Sequence, residues 1–152
     1  MKTSQKKNLN LNTLLFSLAL ATSIASASQG NSQELRTPIF VTADERVALL
    51  AEMRHFLETV QEISAAATEN DMETVSQTAA AVGMKLARTT PPALLKKFPA
   101  SFSEMAATTH ISFDELSLSA SVSDEPLEIV AELADIMLIC TACHGSYRFE
   151  VE

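Results

Sequence analysis

Pro126-Leu127-Glu128-Ile129-Val130-Ala131-Glu132-Leu133-Ala134-Asp135-Ile136-Met137-Leu138-Ile139-Cys140-Thr141-Ala142-Cys143-His144 decides how the rest of the chain is read. Ile129, Leu133, Ile136, Met137, Cys140, Cys143 and His144 recur at intervals of three or four, the spacing of one face of an α-helix. Asp124-Glu125-Pro126 opens this helix with acidic residues and an early proline, both suited to a helix N-terminus. The stretch ends in Cys140-Thr141-Ala142-Cys143-His144, the Cys-x-x-Cys-His pattern of covalent c-type haem attachment. Cysteines three apart on a helix face the same side, within reach of the two vinyl groups of one porphyrin. His144 projects from that side toward the iron, and a neutral imidazole is a standard axial ligand to haem. The same residues admit a redox dithiol or a zinc half-site. A dithiol oxidoreductase belongs near a βαβ pattern, which is missing here. A closed zinc site wants four ligands, and the other histidines, His55 and His110, are isolated from one another.

Upstream, three further helices can be read. Thr42-Ala43-Asp44-Glu45 has the form of a capping box. Val47, Leu50, Met53, Leu57 and Val60 then mark one apolar face of a helix reaching about Ala67. Asn70-Asp71-Met72-Glu73 repeats the capping pattern, and Val75, Ala79, Val82 and Leu86 carry a second helix to about Arg88. Pro91-Pro92 ends it. After a connection from Thr89 to Ala100, Ser101 or Ser103 caps a third helix with Phe102, Met105, Ala106, Thr109, Phe113 and Leu116 on one side. The serines from Ser119 to Ser123 break it. Four amphipathic helices with short, long and short connections predict an all-α protein, an antiparallel four-helix bundle. His55 is expected to be exposed; His110, on the third helix, could in principle compete for iron but is expected at the helix surface or lightly packed. Gly145, inside the last helix, costs about 1 kcal/mol relative to Ala, a cost with a reason if a cofactor edge or a neighbouring helix needs the room.

The N-terminus has another character. Lys2, Lys6 and Lys7, the apolar run Leu14 to Ile24 and Ala25-Ser26-Ala27 compose a secretory signal peptide over residues 1–27. The run is short and broken for a membrane span, so no membrane attachment is expected after cleavage. Residues 28–41 read as a flexible polar lead-in, and 42–152 as the helical domain that holds the haem. The 152-residue chain is 47% hydrophobic, with three Gly and no Trp. Ala, Leu, Glu and Met, all strong helix formers, dominate. Removing three lysines leaves 8 basic residues against 19 acidic, a net charge of −11. So acidic a surface disfavours nucleic acid and anionic lipid, and any partner steered by charge is basic. Export to an oxidising compartment also permits a Cys140–Cys143 disulfide, but that leaves His144 without a role.

Haem attachment at the end of the last helix of a bundle resembles the cytochrome c′ superfamily, whose motif is followed by an aromatic and a basic residue, here Tyr147 and Arg148. The chain is also similar to the periplasmic four-helix b-type cytochrome, with which it shares Thr90-Pro91-Pro92 and a His-x-x-Tyr-Arg ending. The resemblance spans about residues 43–150. It implies one covalent haem c on Cys140 and Cys143, with His144 as proximal ligand and Met53, on the first helix, as sixth ligand. Sulfur opposite imidazole gives a low-spin, raised-potential haem suited to electron transfer. Phe113 and Phe56 become candidate porphyrin contacts, and Arg148 a candidate partner of a propionate. The expectation is a periplasmic single-electron carrier, not an enzyme, working with a redox partner protein. A homodimer is possible, since relatives often dimerise. Other family members lack the sixth ligand and bind small gases in an apolar pocket; a non-haem exported dithiol protein is the remaining alternative.

Overall fold

The computed structural model describes residues 34–152. The signal peptide reading, and the lead-in as far as residue 33, lie outside the described residues. In chain order the elements are β1 (Thr37–Val41), α1 (Ala43–Thr68), α2 (Met72–Ala81), α3 (Met84–Ala87), α4 (Pro92–Leu95), α5 (Ala100–Val122), α6 (Pro126–Ser146) and β2 (Tyr147–Val151). The chain is mostly helical, as expected. The two short strands at its ends correct a purely α-helical reading.

Helix α1 starts where the capping box places it. Thr42 Oγ1 accepts from the Glu45 N–H at 3.2 Å, and the Thr42 N–H donates to Glu45 Oε2 at 2.7 Å. At its far end Asn70 takes a left-handed conformation (φ 56°), which closes the helix without a glycine. The cap of α2 is therefore Asp71 rather than Asn70. Its carboxylate accepts from the Thr74 N–H at 3.1 Å.

The buried face of α1 is rotated from the expected one. Leu49, Thr59, Ile63, Ala66 and Ala67 are buried, whereas Val47 and Leu57 are 65% and 69% exposed. Leu49, Phe56 and Ile63 form a second apolar stripe seven residues apart, and the small Ala66 and Ala67 extend it into close helix packing. Both stripes satisfy helical spacing, and tertiary contact selects between them.

Helix α2 stops at Ala81, seven residues before the expected end. The reason is Gly83, where any Cβ would overlap the Asp114 carboxylate. Asp114 reaches over from α5 and accepts the Met84 N–H at 2.9 Å. Helix α5 begins after Pro99 with no side-chain cap from Ser101 or Ser103, and it runs through the serines to Val122. Burial of Leu116 and Ala120 outweighs the weak helix preference of those serines.

Strand β1 corrects the last five residues of the expected lead-in. It pairs in parallel with β2, Thr37 opposite Tyr147 through Val41 opposite Val151. Ile39 and Val41 are 2% and 0% exposed. Lys97 braces this end, donating to Glu45 at 2.8 Å and to Glu152 at 3.0 Å.

Two hydrophobic clusters result. The larger gathers Ile63, Val75, Val82, Phe113, Leu116, Ile129, Leu133 and Ile136, with Phe56 and Leu86 against it. The smaller holds Ile39, Val41, Leu49, Leu94 and Phe102, with Ala106, Cys143, Tyr147 and Phe149 packed on it. Helix α1 touches α2 and α6, α5 touches α2 and α6, and β2 lies on α1 and α6.

Candidate functional site

The motif occupies the last two turns of α6. Cys140 and Cys143 are both half-buried and carry free thiols. Burial pushes both thiols above their ordinary pKa, with the neighbouring Cys140 adding to the effect at Cys143. They are therefore protonated thiols at neutral pH. His144 follows, exposed in the final turn of α6. Beside it, a Cβ at Gly145 would meet nothing within 4 Å, so no neighbouring helix explains that glycine.

The end of α6 is fixed by the residues after the motif. The Tyr147 N–H donates to the Cys143 carbonyl and the chain turns extended. The Tyr147 hydroxyl hydrogen-bonds Ser101 Oγ, and its ring stands edge-on to Phe102 at 5.4 Å. Arg148 thus belongs to β2 and not to the helix end. It pairs with Glu150, and its Nε is buried without a hydrogen-bond partner.

Cys143 and a neighbouring groove rest on the same cluster. The groove has a volume of about 350 Å³ and is lined by Ala48, Leu49, Glu52 and His55 of α1, Leu86 of α3, Thr90, Pro91 and Leu94. Leu49 and Leu94 are shared with the cluster that Cys143 packs against. The Thr90-Pro91 connection therefore forms one wall of a cleft near the motif. His55 is exposed, as expected. Met53 is half-buried on α1 and is not among the groove-lining residues.

Phe113 sits elsewhere. It is fully buried in the larger cluster and stacks on Phe56 at 5.6 Å with an 11° interplanar angle, whereas Cys143 packs on the smaller one.

His110 is more deeply placed than the expected surface or lightly packed position, being 6% exposed. Nδ1 lies 2.7 Å from the Val82 carbonyl, Nε2 lies 3.6 Å from Glu52 Oε1, and the Phe56 ring is 5.2 Å away. The signal was in the spacing. His110 falls four residues after Ala106 and three before Phe113, on the face already assigned inward.

The donor set fits a covalently attached haem. Two free thiols stand one helical turn apart, and adding each S–H across a vinyl group forms a thioether with no leaving group. An exposed imidazole adjoins them, and Gly145 leaves room beside it. Among the described residues, no three His, Cys, Asp or Glu side chains gather as a metal cluster, and no helix is long and apolar enough to cross a membrane. No family model, curated protein or solved structure matches the chain.

Proposed function

We propose that this chain is an exported monohaem c-type cytochrome that carries single electrons. In this reading α1, α2, α5 and α6 make the antiparallel four-helix bundle of that class, and residues 1–27 direct export to the periplasm. Cys140 and Cys143 hold the porphyrin through thioethers, and His144 supplies the proximal imidazole. The observation that carries the proposal is the pair of half-buried, free thiols on one side of α6 with an exposed histidine beside them. A redox dithiol needs a lowered thiol pKa, and both thiols here move the other way.

Bound haem supplies a one-electron ferric–ferrous couple. The protein's own residues attach it, orient the axial imidazole, exclude water and meet its charge. The smaller cluster, Leu49, Leu94 and Phe102 with the two strand residues Ile39 and Val41, forms the apolar floor under Cys143. Arg148 would be the partner of a propionate. No bond in a substrate is made or broken, so no enzymatic step is assigned. The acidic surface selects a basic redox partner protein.

Met53, one helical turn beyond Leu49 on α1, would be the second ligand; Leu49 belongs with Cys143 in the smaller cluster. A five-coordinate, gas-binding protein is the alternative, favoured by the mostly apolar groove beside the motif. An optical spectrum of the protein made with haem-maturation machinery separates them. A low-spin, six-coordinate spectrum is expected for the electron carrier. A high-spin ferrous form that takes up carbon monoxide readily identifies the gas binder. Replacing Cys140 and Cys143 together by Ser should abolish covalent colour.

A further inference from the structure

We infer that two copies of this chain pair through the outer face of α6, antiparallel and with Ala134 on the twofold axis. The pairing uses a surface that the candidate site leaves bare, and it does not depend on haem attachment.

Helix α6 is apolar on two faces. Its inward face, Ile129, Leu133 and Ile136, is buried. Its carboxylates, Glu128, Glu132 and Asp135, fall on one flank, where Glu132 and Asp135 line a cleft of about 430 Å³ with Ser112, Glu115 and Ser119 of α5. The outer face carries Leu127 and Leu138, 82% and 65% exposed, and Val130 and Met137, 46% each. Ala131, Ala134 and Thr141 are exposed among them. Their intervals of three and four make one continuous strip, and no charged residue interrupts it. The Thr141 hydroxyl donates within the helix to the Leu138 carbonyl at 2.9 Å, so it brings no unmet donor. A helix apolar on opposite faces is ordinarily covered on both, and contiguous exposed apolar surface marks a docking site.

The order of residues along the strip selects a second copy as the occupant. Reversed about Ala134, Leu127 comes opposite Thr141, Val130 opposite Leu138, Ala131 opposite Met137, and Ala134 opposite itself. Large side chains at the middle of the strip thus meet small or branched ones, and Ala134 lets the two axes approach closely. A twofold contact must be self-complementary in this way. Charge points to the same occupant. A basic partner is drawn to the carboxylates of the acidic flank, not to a strip that has none. Anionic lipid is repelled by so acidic a chain. Two acidic copies approach most readily where neither presents a charge.

The size of the surface sets the strength of the pairing. From Leu127 to Thr141 the strip runs about 21 Å along the helix. Helix α1 packs beside α6 and widens it. Ala48, Ala51 and His55 give one flank of α1 to the groove, while Leu50 and Leu57 lie on the flank away from it, Leu57 being exposed. Two adjacent helices with axes about 8–10 Å apart make a face of roughly 20 Å by 20 Å, or roughly 800 Å² over both copies. That is the size of a small, reversible interface. The dissociation constant expected is on the order of micromolar.

Sedimentation velocity of the exported, mature protein tests the pairing, at concentrations from roughly 1 to 500 µM so as to bracket a micromolar association. The expected result is a monomer–dimer equilibrium. Ala134→Glu sets two carboxylates face to face on the axis and should weaken association about ten-fold or more. Leu138→Lys should weaken it as well, and circular dichroism checks that both variants fold. Ala80→Glu makes the same change on the exposed side of α2 and should leave association unaltered. A protein that stays monomeric throughout overturns the inference. So does a dimer that survives both strip variants, which places the contact on another face. A monomer that instead co-floats with phosphatidylcholine vesicles overturns it in favour of lipid. These readouts do not use the colour of the protein, so failure of the pairing and failure of haem attachment are told apart.

Discussion

Phe113→Ala removes the largest fully buried side chain among the described residues, and its cost can be worked from its surroundings. Burying a Phe side chain contributes about 1.5–3 kcal/mol. The near-parallel ring of Phe56 at 5.6 Å adds about 0.5–1.5 kcal/mol. The cavity left among Val82, Leu116 and Ile136 adds more, because a core relaxes only partly around a deletion. The expected loss is about 3–5 kcal/mol, a large share of the roughly 5–15 kcal/mol available to a domain. Phe113→Leu, which keeps most of the volume, should lose about 1–1.5 kcal/mol. Urea unfolding followed by circular dichroism measures both. Because Phe113 belongs to the cluster away from Cys143, Phe113→Leu should also leave the haem absorption bands in place. A loss below about 1 kcal/mol for the Ala variant, or a displaced haem band in the Leu variant, would refute this placement of Phe113 in the core.

Thr42→Ala breaks the reciprocal cap of α1 and should cost about 1 kcal/mol, read as a lower urea midpoint at unchanged slope. Gly145→Ala meets no neighbouring atom and should stabilise the haem-free protein by up to about 1 kcal/mol; a loss of stability would show a packing role that the structure does not have. Stability should also follow pH at both ends. Hydrogen bonds from Lys97 and Thr42 hold the Glu45 carboxyl below its ordinary range, and those from Thr74 do the same for Asp71. Their contribution is present above the ordinary carboxylate range and fades as pH falls through the lowered values. Lys97 is raised by Glu45 and then Glu152, so its contribution is complete below the ordinary lysine range and fades as pH rises through the raised value. A pH titration of the urea midpoint should therefore be flat near neutrality. The haem-free thiols of Cys140 and Cys143, pushed up by burial, should alkylate more slowly at neutral pH than a free cysteine; faster alkylation would point to a redox dithiol.

Local signals in the sequence marked much of the helical body. Thr42-Ala43-Asp44-Glu45 gave the start of α1 to the residue, and Pro126 gave the start of α6, because caps and helix-opening prolines act within a single turn. The Cys-x-x-Cys-His stretch placed its two cysteines and histidine on one helix for the same reason. What escaped was decided by distant parts of the chain. Strand β1 is short and carries Pro38, and it becomes a strand because β2, from a distant part of the sequence, pairs with it and buries Ile39 and Val41. The end of α2 at Gly83 depends on Asp114 filling the space where a Cβ would stand. The choice between two apolar stripes on α1 depends on which one meets α2 and α6. His110 was expected at the surface or lightly packed because the carbonyl of Val82 and the carboxylate of Glu52, which make its burial tolerable, come from distant parts of the sequence.

The central claim is that Cys140 and Cys143 carry a haem through covalent bonds. The most direct measurement is the intact mass of the protein, exported and matured in a host with haem-attachment machinery and then denatured in acid and organic solvent. The expected result is the mass of the chain cleaved after Ala27 plus one haem, with the colour remaining on the polypeptide. A colourless polypeptide at the mass of the cleaved chain alone would contradict it.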